Sequence, residues 1–149
     1  MYNDFNYPFW PYSTDLSGVS DLDHTTFDAE FMLVARNNCY TGIGDNILAG
    51  SLNTVRDYAF KGNGLYSSPE FSDFMNGTGP PLHRHKQANM GSNWPFFPNA
   101  NIKSKRHGVS FNDQFAEHLA WAKTARKDTL STSKYFRSAA EFILATESP

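Results

Sequence analysis

Residues 77–86 read GTGPPLHRHK, and a pair of histidines flanking one residue is the simplest arrangement that could hold a metal ion. Alternate side chains of an extended backbone share a face, so His83 and His85 would point the same way. Two ligands alone leave a metal shell open. A second stretch, WPFFPNANIKSKRH at 94–107, sets Trp94, Phe96 and Phe97 just ahead of Lys103, Lys105 and Arg106. Rings beside cations can stack on unpaired bases while the cations neutralise phosphates. They also suit a groove in an acidic protein assembly, with rings in pockets and bases at the rim. A third stretch is the N-terminus, where Tyr2, Phe5, Tyr7, Phe9, Trp10 and Tyr12 are interleaved with Pro8 and Pro11. Proline limits the backbone freedom lost on fixing such an arm, and each buried Phe or Trp contributes roughly 1.5–3 kcal/mol.

The HRH stretch resembles the first metal-binding motif of the cupin family, a resemblance carried by residues 77–86 alone. It implies a metal held by His83 and His85 in a β-barrel enzyme. Cupins place a glutamate where Asn89 stands here, and the later half-motif has no counterpart, since His107 is followed by Asn112 without the usual Pro-x-Gly context. The many short strands of a barrel are missing from the pattern as well. Other chemistry-like features have plain explanations. TGIGDNILAG at 41–50 lacks phosphate-loop spacing and reads as turn glycines leading into a helix capped by Asp45. Cys39 reads as a small buried hydrophobe. Asp21 and Asp23 have no apolar surroundings to separate their pKa values. The expectation is therefore no enzyme, no catalytic residue, no metal and no cofactor.

With 149 residues the chain suits one ordinary domain. At 15% aromatic and 19% charged it is too apolar for a disordered chain. A single cysteine excludes an internal disulfide framework. No secretion signal and no apolar run of membrane length stand out, which favours a cytoplasmic, cytoskeletal or virion location over secretion. Charge is unevenly laid out. Residues 1–35 carry six acids and no Lys or Arg, whereas 84–137 carry ten bases against three acids. Such asymmetry suits neutralisation between neighbouring copies, or an acidic partner for the basic part.

The elements that must position these groups are helical. Thr25 or Thr26 would cap a helix over 27–36, with Phe27, Phe31, Val34 and Ala35 on its buried face. A second spans 46–60 with Leu48, Leu52, Val55 and Ala59 as its stripe, weakened by about 1 kcal/mol at Gly50. SPEFSDFM supports a short helix near 69–75. Ser110 with Asp113 resembles a capping box opening a helix over 110–127, whose stripe is Phe111, Phe115, Leu119 and Ala122. A short link leads to a last helix over 132–146 with Tyr135, Ala139, Phe142 and Ile143 inward, giving a helical hairpin.

The fold expected is mainly α with extensive irregular structure. It comprises an aromatic, acidic arm (1–25), a helical pair (26–62), a long Pro/Gly/Asn-rich loop (63–109) and a C-terminal hairpin (110–149). One apolar row per helix is poorly matched to covering both the arm and the loop. The function expected is thus a structural or adaptor subunit that docks on other protein subunits of a large assembly, of virion or cytoskeletal type. The docking residues would be the six arm rings, Trp94, Phe96, Phe97, Lys103, Lys105 and Arg106. Two other readings stand behind it. One is a nucleic-acid packaging or accessory factor using the basic C-terminal half, and the other is a small metal-dependent enzyme around the HRH motif. No membrane or small-molecule partner is expected.

Overall fold

In a computed structural model of the chain, the structure describes residues 21–62, 69–80, 93–125 and 139–147 except 141 and 145. The fold is mainly helical. Three long helices, α1 (Leu22–Asn37), α2 (Asp45–Thr54) and α3 (Phe111–Ala125), are joined by irregular segments, and residues 139–147 contribute further helical turns. Residues 1–20 of the expected aromatic arm and the His83–His85 pair lie outside the described residues, as does the first half of the expected last helix, while residues 21–25, expected in the arm, instead cap and begin α1.

α1 starts earlier than its sequence suggests and buries a different face. Asp21, not Thr25 or Thr26, is the cap: its carboxylate accepts from the His24 backbone N–H at 3.0 Å. The buried seam is Leu22, Thr25, Thr26, Ala29 and Met32, while Phe27, Phe31 and Val34 are 64%, 65% and 55% exposed on the opposite side. The helix start is tethered, which sets this rotation. The Leu22 N–H donates to the Asp73 carbonyl at 2.7 Å and Asp21 pairs with Phe74. Small Thr and Ala side chains on the tethered side allow close approach. The two threonines lose no hydrogen bond by burial, because their hydroxyls donate to the carbonyls of Asp21 and Leu22.

α2 matches its expected stripe, with Leu48, Leu52, Val55 and Ala59 fully buried. Gly44 rather than Asp45 occupies the cap position, and Asp45 instead pairs with Arg36 at 2.6 Å. The last turn, Val55–Ala59, widens into a π turn closed by the Phe60 N–H on the Val55 carbonyl at 3.1 Å. The carbonyls left over at this end find partners elsewhere in the chain. Gln114 Nε2 donates to the Arg56 carbonyl (2.9 Å), His107 Nε2 to that of Asp57 (3.0 Å), and the Ser72 N–H to that of Ala59 (2.8 Å).

The short helix expected near 69–75 does not form. Residues 70–72 instead run antiparallel to 59–61, through Lys61 N–H to Glu70 O and the Phe60–Phe71 bridge. One isolated helical turn is too short to offset its own nucleation, and the end of α2 offers this segment ready backbone partners. Phe71 thereby enters the centre of the ring cluster. It lies 5.4 Å from Phe60, 6.2 Å from Phe111 and 5.7 Å from the His118 ring.

α3 opens as expected. Ser110 N–H donates to the Asp113 carboxylate (3.0 Å) and Asp113 N–H donates back to the Ser110 hydroxyl (3.1 Å), a reciprocal capping box. The Ser110 N–H, and with it the Ser110 hydroxyl at 2.8 Å, donates to the Asp113 carboxylate and holds that carboxyl below its ordinary range. Phe111 and Phe115 are buried and Leu119 half-buried, but Asn112, Gln114 and His118 are buried beside them. Phe142 closes the far side with its ring 5.4 Å from Phe115, whereas Ile143, expected inward, is half exposed.

Two measurements check this packing. Phe71→Ala should cost about 3–5 kcal/mol in urea unfolding, since it removes the ring that joins three others. His118 supplies a pH signature. Complete burial pushes its imidazole from 6.5 down to about 4, against the opposing bond from Nδ1–H to the Pro69 carbonyl. The unfolded chain therefore takes up a proton below its own His pKa while the folded chain stays neutral. Stability should fall by on the order of 3 kcal/mol as pH drops from 6.5 to 4, then stop changing on this account. The buried-shifted His107 adds a drop of the same sign. His118→Gln should flatten the slope in urea titrations across that window, at a cost in stability near neutrality.

Candidate interaction surfaces

The expected docking residues separate into three groups. Tyr2, Phe5, Tyr7, Phe9, Trp10 and Tyr12 lie outside the described residues. Trp94 and Phe97 are 0% and 3% exposed: their rings, 5.0 Å apart, belong to the chain's own core and present nothing to a partner. Three residues complete one turn of the 3-10 segment Trp94–Phe96, so Trp94 and Phe97 fall on the same inward side with Pro95 buried between them, and Phe96, 47% exposed, stays outside. Part of the loop expected to lie along other chains thus folds onto this one.

Phe96 borders a groove of about 490 Å³ with Leu33 and Val34 of α1, rimmed by Glu30, Arg36, Asn37 and Asn93. Phe27 and Phe31 continue the apolar surface along α1 with Val34 at spacings of four and three residues, a helical stripe. Cys39, expected to be buried, is exposed in the turn that ends α1, at a positive φ of 60°.

Lys103, Lys105 and Arg106 are brought together as the sequence suggested, all exposed. They line a second cleft, of about 520 Å³, with Asn53, Arg56, Asp57, Tyr58, Asn99 and Ile102. The loop that carries them is built around Ser104, itself buried. Its hydroxyl accepts from the backbone N–H groups of Arg106 and His107, both at 3.0 Å. Its own N–H and carbonyl bond Val109 and Gly108, and Gly108 turns the chain at φ 74°. Arg106 then lies over the Tyr58 ring at 5.2 Å.

Beneath this loop sits a buried ion pair. Arg56 grips Asp57 through two parallel bonds, Nε to Oδ1 at 2.8 Å and Nη2 to Oδ2 at 3.0 Å, and its Nη1 donates to the Ile102 carbonyl at 3.0 Å. His107 is the other anchor, with its ring edge-on to Phe60 at 5.8 Å. Burial pushes its imidazole down, and the neighbouring charges of Arg106 and Lys61 push the same way. Lys61 is lowered for the same two reasons, burial first and then Arg106. The cleft is lined by four bases, Arg56, Lys103, Lys105 and Arg106, against the single acid Asp57.

The sequence reading missed Arg56 and Asp57. A signal was available: Arg56 falls four residues after Leu52, in register with the buried stripe, next to an acid that could neutralise it. No such signal marks Asn53, Tyr58 or Asn99, whose place at the cleft depends on the return of a distant loop. Among the described residues no group of three or more His, Cys, Asp or Glu side chains could hold a metal ion, and no helix is long and apolar enough to cross a membrane.

Comparison of the chain with protein-family models, with curated proteins and with solved structures gives no match in any of the three.

Breaking the pair should be far worse than replacing it. Asp57→Asn or Arg56→Met alone should destabilise by about 3–5 kcal/mol, because a buried charge is left behind, while the double replacement Arg56→Met with Asp57→Leu should recover a good part of that. Urea unfolding of the three variants provides the comparison.

Proposed function

We propose that this chain is a non-enzymatic structural or adaptor subunit of a large assembly, of virion or cytoskeletal type, working inside the cell or the particle. It docks on neighbouring protein subunits through its aromatic arm and the outer face of α1. One observation carries the reading. Phe27, Phe31 and Val34 stand in water on the side of α1 opposite its buried seam, and the surface runs on to Val34 and Phe96 across one groove. Covering an exposed Phe side chain is worth roughly 1.5–3 kcal/mol, so a contiguous stripe of this kind is a standing driving force for association. Its spacing is that of the anchor side chains by which an amphipathic helix seats in a neighbour's groove. The polar rim of Glu30, Arg36, Asn37 and Asn93 gives the contact a register.

The replacement of Phe27 and Phe31 together by Ser should leave the unfolding free energy within about 0.5 kcal/mol, since neither ring packs in the core. The same variant should abolish assembly. Sedimentation over a concentration series reads association between copies, and a photo-crosslinker at position 31 in the source cells reads association with other subunits. A chain that stays monomeric and yields no crosslinked product at position 31 removes the proposal.

A further inference from the structure

We propose that the cleft between the π turn ending α2 and the loop over residues 99–108 binds a small phosphate-bearing anion of nucleotide size. Four bases and one acid line it, leaving a surplus of three positive charges. The acid is Asp57, and both its oxygens already accept from Arg56. Among the described residues, Lys103, Lys105 and Arg106 enter no ion pair; Lys103 feels the Asp113 carboxylate, but that group is held by Ser110 at the α3 cap.

The cleft is a built feature. Arg106 is held from behind by the Tyr58 ring and from its backbone by Ser104, so its planar fork of donors is largely oriented before anything binds. The floor is fixed by the Arg56–Ile102 and His107–Asp57 bonds. Asn53 and Asn99 add amide groups, and Ile102, 55% exposed, adds an apolar wall. At about 520 Å³ the space falls in the ordinary range for a small-molecule pocket.

Charge and shape favour a compact ligand over a polymer. A phosphate group carries about −1.5 to −2 near neutral pH, so a diphosphate brings charge of the same size as the three unpaired cations. A nucleic-acid strand wants a longer cationic track and open aromatic faces for its bases. Here the cations converge on one cleft, and the Tyr58 face is covered by Arg106.

The test is calorimetric titration of the folded 149-residue chain at low salt with pyrophosphate, with adenosine diphosphate and with an oligothymidylate. Saturable one-to-one binding of either small phosphate is expected, weakened at least tenfold by Lys103→Gln combined with Arg106→Gln. Lys105→Gln alone, the mildest change, should weaken it several-fold. Glu117→Gln, a one-unit change of charge on the exposed side of α3 and outside both the cleft and the α1 groove, should leave it unaltered. Circular dichroism establishes that each variant is folded. Tighter binding of the nucleotide than of pyrophosphate would assign a nucleoside to the Ile102 wall, and equal binding would assign the phosphates alone; both uphold the site. No binding of either small phosphate, unchanged affinity in the double variant, or binding of the oligothymidylate alone would overturn it. None of these variants touches Phe27, Phe31 or Phe96, so the outcome is separable from that of the assembly experiment.

Discussion

Arg56 and Asp57 meet out of water, and much of the molecule is arranged around what that demands. A buried charge is tolerated only when it is paired and its remaining hydrogen-bonding positions are filled. The guanidinium fork takes the carboxylate with two bonds and the Ile102 carbonyl with another. The backbone carbonyls of the same two residues, orphaned where α2 ends, are taken by Gln114 and His107. One dipeptide thus binds the end of α2, the 99–108 loop and the first turns of α3. Removing any of these partners would strand a polar group in the interior, so the three segments are mutually required.

The π turn makes this junction possible. Bonding Phe60 to Val55 shifts the last turn of α2, bringing Arg56 and Asp57 both to the buried side together with Val55 and Ala59. It also frees the Lys61 N–H for Glu70 and the Ala59 carbonyl for Ser72, which draws residues 70–72 alongside. Phe71 is carried inward by that pairing and joins rings from α3 to Phe60. Polar accounting and aromatic packing are here two consequences of a single helix ending. His118, held by the Pro69 carbonyl among Phe71, Phe115 and Trp121, extends the same network to the middle of α3.

The outer surface follows from the same constraint. The loop that satisfies Arg56 must return over the π turn, and in doing so it presents Lys103, Lys105 and Arg106 together. The start of α1 is fastened to residues 73 and 74, which turns its small side chains inward and its two phenylalanines outward. A chain rich in rings therefore encloses Trp94 and Phe97, yet leaves an apolar stripe on the opposite face of its first long helix.

Helical character, the α2 stripe and the Ser110–Asp113 box were legible in the amino-acid sequence, because each depends on residues within a few positions of one another. The cationic triplet was legible for the same reason. What the sequence could not decide was which of two candidate faces α1 buries, because Phe27, Phe31 and Val34 make as good a helical stripe as Leu22, Ala29 and Met32; a tether to residues 73 and 74 chose between them. Nor could it show that residues 70–72 would pair with the end of α2, or that Trp94 and Phe97 would turn inward while Phe96 stayed out. Local propensities are worth tenths of a kcal/mol to about one, whereas burying a ring or satisfying an interior charge is worth several times that. Where the two compete, contacts distant in sequence settle the outcome.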